Sequence, residues 1–110
     1  LLPVEKTDSH GRISSLVLQT SSPLDIDAVS HFMNTLLQDY GPALLRYKGV
    51  LNIRGESRKL IFQGVLSLYG FDWGQEWGKD DTRQSTMILI GDQLPLELIQ
   101  HRFQEICIPI

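Results

Sequence analysis

The residues that could carry out chemistry in this sequence are few, and none of them completes a catalytic pattern. A nucleotide-binding P-loop needs a glycine-rich turn ending in Gly-Lys-Ser/Thr, because backbone N–H groups and the lysine surround the phosphates. The only Gly-Lys pair is Gly78-Lys79, and Asp80 follows it with a charge that repels phosphate. Glu76, Asp80 and Asp81 have no histidine near them in the sequence for acid–base work, and no Gly-x-Ser-x-Gly turn is present. We predict that this chain is not an enzyme.

Metal binding would draw on His10, His31, His101 and Cys107, but no two of these have the short spacing of a zinc motif. On a helical projection His31 and His101 point away from the apolar stripes, which favours solvated surface histidines. Cys107 lies on an apolar face and is interpreted as a small buried hydrophobic residue. His10 lies in the segment that leads into the domain, so it is a candidate only for a site that another domain completes.

Two tryptophans, Trp73 and Trp77, stand in the glycine-rich segment 70–84. Either they fold back as a lid over one edge of the core, or they anchor a protein contact, since tryptophan is enriched in binding hot spots.

Basic residues cluster around the central hairpin and form either a solvated edge or a surface that docks onto an acidic neighbouring domain; they are Arg46, Lys48, Arg54, Arg58 and Lys59. The candidates for contact with a partner are Trp73, Trp77, Arg46, Lys48 and Arg83.

Composition excludes several classes of protein. The chain has 110 residues, of which 42% are hydrophobic and 21% charged, so it is long enough for one domain with its own core. The net charge of −3 argues against nucleic acid as the main partner, because neutralising phosphates needs clustered Lys and Arg. A single cysteine excludes an internal disulfide and favours a reducing, cytoplasmic compartment. No run approaches the roughly 20 apolar residues of a membrane span, so we expect no membrane partner.

Two amphipathic helices are predicted from apolar residues that recur at three- and four-residue spacing. The first begins at residues 22–25 (Ser-Pro-Leu-Asp), where the serine supplies a capping hydroxyl and the proline occupies the first helical position, and it ends at Gly41-Pro42. The second opens at Pro95 and stops at Pro109. The apolar face of the first helix comprises Ile26, Val29, Met33, Leu36, Leu37 and Tyr40, and that of the second comprises Leu96, Ile99, Phe103, Ile106 and Cys107.

The chain is organised around residues 45–69, which alternate in polarity and are predicted to form two strands joined by a turn at residues 55–57. Residues 13–20 and 85–90 are predicted to be strands, and residues 70–84 a long loop. The dry faces of the central hairpin comprise Leu45, Tyr47, Gly49, Leu51 and Ile53 on its first strand and Leu60, Phe62, Gly64, Leu66 and Leu68 on its second. At its two glycines the missing side chain lets a helix or a neighbouring backbone approach closely.

The order of these elements predicts an α+β fold of two layers. It has a mixed, mostly antiparallel four-stranded sheet with two helices on one face, in the order β-α-β-β-β-α. The strand, helix and strand at the start imply a right-handed parallel unit, and the short connections that follow imply an antiparallel meander. Residues 1–11 are predicted to be a linker from a missing upstream domain, and residues 12–110 the domain itself.

Five short motifs occur in order along the chain from about His10 onward. They are Arg-x-Lys-Gly at residues 46–49, Gln-Gly-Val at 63–65, Trp77 in the following segment, Arg-x-Ser at 83–85 and Ile-Gly-x-x-Leu at 90–94. This series resembles the C-terminal domain of CobW-like GTPases. In that family the motifs mark two strands, the loop after them, the entry to the last strand and the turn before the last helix.

The resemblance implies an accessory domain of a larger protein. Members of this family look like metal chaperones in which an upstream P-loop domain binds GTP and a divalent metal, zinc or cobalt, through a Cys-x-Cys-Cys motif. Proposed roles include zinc homeostasis, cobalt delivery in cobalamin synthesis and maturation of metalloenzymes. This chain has none of those motifs. The resemblance therefore implies that it packs on the upstream GTPase domain or contacts a metalloprotein client, with no cofactor of its own.

Two features depart from the family pattern. Many members carry a His-rich stretch just before this domain, whereas only His10 stands here, which argues against local metal storage. Pro95 stands where an acidic or polar helix cap is common. The alternative function is a stand-alone module that binds a small molecule or a metal.

Overall fold

Six strands and two helices make up the part of the chain that this computed structural model describes, residues 4–6 and 12–107. A short 3-10 turn, Gly41–Ala43, follows the first helix. The elements are β1 (Val4–Lys6), β2 (Ile13–Thr20), α1 (Ile26–Tyr40), β3 (Leu44–Leu51), β4 (Arg58–Val65), β5 (Leu68–Glu76), β6 (Ser85–Asp92) and α2 (Leu96–Ile106). No helix in these ranges is long and apolar enough to cross a membrane.

The strands form a single sheet in the order β1-β2-β6-β3-β4-β5, and all neighbouring strands pair antiparallel. The predicted meander is confirmed for its first two strands, β3 and β4, but its third strand is wrong, because β6 pairs with β3 and β2 and β5 takes the place beside β4. The predicted parallel unit is wrong in its pairing. β2 and β3 do point the same way, but β6 lies between them and pairs with both. Among the described residues a parallel contact occurs as an isolated bridge between Leu24 and Ile53.

The two-layer α+β class is confirmed, but the predicted number of four strands is too low. β1 lies within the predicted linker, of which residues 1–3 and 7–11 fall outside the described residues. β5 comprises the last two residues of the predicted hairpin, 68–69, and the first part of the predicted loop 70–84. It is an edge strand whose side chains are mostly exposed or half-buried, and it contains Gly70 and Gly74. A strand with one neighbour and little burial lacks the apolar alternation that identifies strands from sequence.

α1 begins later than predicted, because Asp25 caps it instead of Ser22. The Asp25 carboxylate accepts a hydrogen bond of 3.0 Å from the Ala28 N–H, which satisfies one of the free donors of the first turn. Leu24 is held outside the helix because its N–H donates to the Asn52 carbonyl (2.9 Å) and its carbonyl accepts from the Arg54 N–H (2.8 Å). The helix ends at Tyr40, directly before Gly41-Pro42, as predicted.

α2 begins at Leu96, with Pro95 at the cap position and no side-chain cap, so the predicted start is confirmed. Its predicted stop at Pro109 lies outside the described residues. The two helices contact each other through Phe32 and Phe103, whose ring centroids are 5.8 Å apart. An ion pair of 2.9 Å between Arg102 and Asp39 links them at the surface.

The core lies between the helices and one face of the sheet. A shift of register between Leu44 and Arg46 turns Leu44 inward in place of Leu45, which corrects the predicted alternation at that position. Asn52 is buried, and its backbone N–H donates to the Ser85 hydroxyl at 2.7 Å. The buried side chains include Leu16, Leu18, Val29, Phe32, Met33, Leu36, Tyr47, Leu51, Leu60, Phe62, Met87, Leu89, Ile99 and Phe103.

The two glycines of the central hairpin permit close approach, as predicted. A Cβ atom on Gly49 would lie 2.5 Å from the carbonyl oxygen of Thr86 on the neighbouring strand. A Cβ atom on Gly64 would overlap the ring of Tyr47. Both glycines therefore serve the packing of the sheet.

Candidate functional site

The face of the sheet opposite the helices carries no packed element of the described chain, and we call it the open face. Strand register arranges its side chains in three rows that cross the sheet from β2 to β5. The first row is Ser15, Ile90, Arg46, Val65 and Leu68; the second is Val17, Ile88, Lys48, Gln63 and Gly70; the third is Gln19, Thr86, Val50, Ile61 and Asp72.

Aliphatic side chains are unusually frequent on the open face. An antiparallel sheet with one solvated face normally alternates apolar residues inward with polar residues outward. Here the outward positions include Val17, Val50, Ile61, Val65, Leu68, Ile88 and Ile90. Val65 is 53% exposed and Leu68 is 80% exposed. A contiguous apolar patch on a protein surface indicates a site of interaction.

A shallow groove of about 590 Å³ crosses the open face, and a depression of about 310 Å³ adjoins it. Lys48, Gln63 and Ile88 line both, so the two form a continuous concave surface. Arg46 lies beside Lys48 in the larger groove. Both cations are exposed, and neither forms a salt bridge with a carboxylate of residues 12–107. The groove thus offers an apolar floor and two available positive charges.

The predicted contact residues fall into two separate groups. Arg46 and Lys48 lie together in the groove, whereas Trp73, Trp77 and Arg83 lie where β4 begins and β5 ends. Residue spacing does not reveal this division, because it depends on which strands are neighbours in the sheet.

The second group belongs to a turn cluster, which we define as Glu56, Arg58, Trp73, Trp77 and Arg83. The Arg58 guanidinium lies 4.8 Å from the Trp73 ring centroid and forms an ion pair of 2.8 Å with Glu56. The hydrogen bond from Arg58 lowers the pKa of Glu56. Arg83 donates a hydrogen bond of 3.1 Å to the Glu56 carbonyl. Arg83 is exposed, and its hydrogen bond links the segment before β6 to the turn before β4.

The two tryptophans differ in burial. Trp73 is 37% exposed. Trp77 is half-buried, its backbone N–H donates to the Ser57 carbonyl at 2.9 Å, and the Lys59 ammonium lies 5.2 Å from its ring centroid. These contacts favour the lid interpretation for Trp77 and leave Trp73 as the candidate anchor of a protein contact. Both roles stay predictions.

The turn between β4 and β5 is a feature that the sequence did not indicate. Leu66 was predicted to continue the dry face of a strand, but it lies in a two-residue turn with φ of 55°, and Leu68 lies on the open face. The Tyr47 hydroxyl donates a hydrogen bond of 2.6 Å to the Leu66 carbonyl. The Leu66 backbone N–H donates to the Leu45 carbonyl at 3.0 Å. Burial, and then the neighbouring Tyr69, raise the pKa of Tyr47. Leucine in a left-handed turn lacks the Asn-Gly type signature of hairpins.

The metal-ligating candidates that the structure describes form no metal site. His31 and His101 are exposed, and His10 lies outside the described residues. The Cys107 thiol donates to the Phe103 carbonyl at 3.2 Å, and burial raises its pKa, which disfavours the reactive thiolate. Within residues 4–6 and 12–107 no group of three His, Cys, Asp or Glu side chains is close enough to hold a metal ion.

Comparison with known proteins gives the chain a family and relatives. A family model, the cobalamin synthesis protein CobW C-terminal domain, matches residues 13–107. The chain is 48% identical over 96 residues to the zinc chaperone YjiA of Escherichia coli, a match that covers 87% of this chain and 30% of YjiA.

Two solved structures are similar to this chain. One is a zinc-bound triple mutant of the YjiA GTPase, with a TM-score of 0.84 and 46% identity over 89% of this chain and 30% of that chain. The other is the zinc-bound YjiA GTPase from E. coli, with a TM-score of 0.84 and 41% identity over 96% of this chain and 36% of that chain. The chain therefore spans about a third of the length of the relatives that it matches.

Proposed function

The chain belongs to the family of CobW C-terminal domains, and from this premise we propose that it is the accessory domain of a CobW-like, GTP-dependent metal chaperone. In this role it has no chemistry of its own. Its open face docks onto the upstream GTPase domain of the same protein, in the cytoplasm. The observation that carries the proposal is the sheet face that no element of the described residues covers, with its aliphatic floor and the exposed cations Arg46 and Lys48.

The relatives support a metal-chaperone GTPase activity for the parent, by which we mean the longer protein that contains this domain. One is named a zinc chaperone and the solved structures are of a zinc-bound GTPase, and about two thirds of their length has no counterpart in this chain. We infer that the missing part of the parent binds GTP and a divalent metal, zinc or cobalt. The residues that precede Leu1 in the parent then contain a Gly-Lys-Ser/Thr loop and a Cys-x-Cys-Cys motif.

Physical chemistry favours docking at the open face. Burial of its branched aliphatic side chains contributes about 25 cal/mol per Å² of apolar area removed from water. Arg46 and Lys48 would orient the partner, because charges at an interface contribute mainly to register and association rate. Interfaces between domains of one chain typically bury about 600–1,500 Å². A partner that also binds GTP would transmit its nucleotide state through this contact, and the coupling is reciprocal.

The test mixes the upstream GTPase domain and this 110-residue chain as separate polypeptides and measures their binding by calorimetry. Ile88→Glu and Lys48→Glu each change the groove, and we expect each to weaken binding by about tenfold or more. Asp27→Lys on α1 changes the net charge by two units on the opposite side of the fold, as many as Lys48→Glu but with the opposite sign, and serves as the control. Unchanged binding by both groove variants would refute the docking role, and GTP hydrolysis by the chain alone would refute its accessory nature.

The alternative function, a stand-alone module for a small molecule or a metal, is tested by titrating the chain alone with zinc or cobalt. Such a module would give stoichiometric heat of binding. We expect no tight binding, because among the described residues no three His, Cys, Asp or Glu side chains are grouped so that they could hold a metal ion.

A further inference from the structure

The outer edge of β5 is a surface that the proposed docking at the open face does not use. β5 is the last strand of the sheet order, is nine residues long, and pairs with β4 on one side only. In the described part of the chain no residue pairs with its other side. The opposite edge of the sheet is formed by β1, which has three residues.

The outward backbone groups of β5 come from a row of aromatic residues. A two-residue turn is closed by a hydrogen-bonded pair, here Val65 and Leu68, and such pairs alternate along an antiparallel ladder. The residues between them, Tyr69, Phe71 and Trp73, therefore direct their N–H and C=O groups away from β4. Proteins commonly protect such an edge with lysine, proline or a β-bulge. β5 contains no lysine or proline, and its register shift lies beyond Trp73, toward Glu76.

We propose that the outer edge of β5 accepts an extended segment of a client protein as an additional strand. The segment carries a Lys or Arg side chain near Asp72 and an aliphatic side chain beside Trp73. Main-chain hydrogen bonds supply the affinity in such strand addition, and alternate side chains supply the specificity. The inference deepens the client-docking side of the accessory role and rests on that role, but the added strand bonds to the outer backbone edge of β5 and not to the groove lined by Arg46, Lys48 and Ile88.

The charge at the edge selects this occupant over a second copy of the chain. Asp72 is exposed and has no salt bridge with residues 12–107. An antiparallel pair of β5 strands centred near Asp72 would bring two carboxylates together, and like charges directly opposite each other destabilise a sheet. A basic segment replaces that repulsion with attraction.

The edge also lies far from the point where the chain enters the sheet. Five strand spacings of about 4.8 Å separate β1 from β5, a distance of about 24 Å. An upstream domain attached beside β1 and docked on the open face therefore leaves the outer edge of β5 accessible to a separate protein.

The test uses the 110-residue chain, labelled with ¹⁵N, and the probe peptide acetyl-Ser-Val-Lys-Val-Lys-Val-Ser-amide. We expect saturable amide shifts and slower hydrogen exchange at Tyr69, Phe71 and Trp73, with a Kd near 1 mM, about −4 kcal/mol. Asp72→Lys should abolish binding of this peptide and confer binding of the same peptide with Glu in place of Lys. Asp27→Lys on α1 is the matched control and should leave peptide binding unchanged.

Three results would overturn the inference. They are shifts confined to the open face of β2, β3 and β6, undiminished binding of the lysine peptide by the Asp72→Lys variant, and dimerisation of the chain through β5 in sedimentation at rising concentration. Docking of the GTPase domain is measured separately, with Ile88→Glu and Lys48→Glu. A negative peptide test therefore refutes the added strand at β5 without refuting docking at the open face.

Discussion

The two faces of the sheet are built from the same strands, yet they are suited to different tasks. Phe62 is fully buried under the helices, whereas Ile61, its neighbour in the chain, points to the open face and is only half-buried. The helix-covered face is filled to the point where glycines are needed between rings and strands. The open face has similar aliphatic residues with no described element against them. The comparison shows that apolar content alone does not separate a core from a docking surface.

The largest expected effect is the loss of stability from Phe62→Ala. The Phe62 ring lies 5.4 Å from Tyr47, 5.7 Å from Tyr69 and 5.1 Å from Phe71 between centroids. Its removal leaves a cavity, and we expect a decrease of about 3–5 kcal/mol in the free energy of unfolding. Ile61→Ala is the matched variant on the open face and should cost clearly less. Urea denaturation measures both, and equal losses would contradict the distinction between the faces.

A smaller loss is expected from Gly64→Ala, which tests how tightly the covered face is packed. The added methyl would overlap the Tyr47 ring and lie 2.7 Å from the Tyr69 Cβ atom. Overpacking of this kind costs about 1–3 kcal/mol. Gly70→Ala is the control, since a Cβ atom there meets no atom within 4 Å. If thermal denaturation gave both variants the same midpoint, the close packing at Gly64 would be refuted.

The smallest stability effect concerns Tyr47→Phe, which removes the hydrogen bond to the Leu66 carbonyl. We expect a loss of about 1 kcal/mol. Burial raises the pKa of Tyr47 in the folded state above its value in the unfolded chain. As the pH rises, the unfolded state therefore loses this proton before the folded state does. The stability of the unsubstituted chain falls as the pH rises above about 10. The variant should lack this part of the fall, as measured by urea denaturation between pH 8 and the raised pKa of Tyr47. Parallel pH profiles for the two proteins would show that Tyr47 does not titrate as described.

Much of the fold could be predicted from the sequence where burial imposes a strong period. The helices and the strands β2, β3, β4 and β6 each bury one face, so their apolar residues recur regularly. β5 was missed because an edge strand buries little, and β1 because three residues carry no period. The irregular register at Leu45 depends on backbone geometry that polarity does not encode.

The candidate site was predicted only in part, for a topological reason. Arg46 and Lys48 are two residues apart on one strand, so their common face follows from the period of a strand. The aliphatic floor around them needs Ile88 and Ile90, which reach it only because β6 lies between β2 and β3. Nothing in the local sequence specifies that insertion, since it results from pairing between distant segments.

The most direct test of the account compares isoleucine methyl groups on the two faces by NMR, with the 110-residue chain titrated by the upstream GTPase domain. We predict shifts of the methyl signals of Ile61, Ile88 and Ile90 on the open face. The signal of Ile99, which α2 directs into the core, should stay unchanged. Shifts confined to residues of α1 and α2, with the three open-face methyl groups unaffected, would contradict the assignment of the open face as the docking surface.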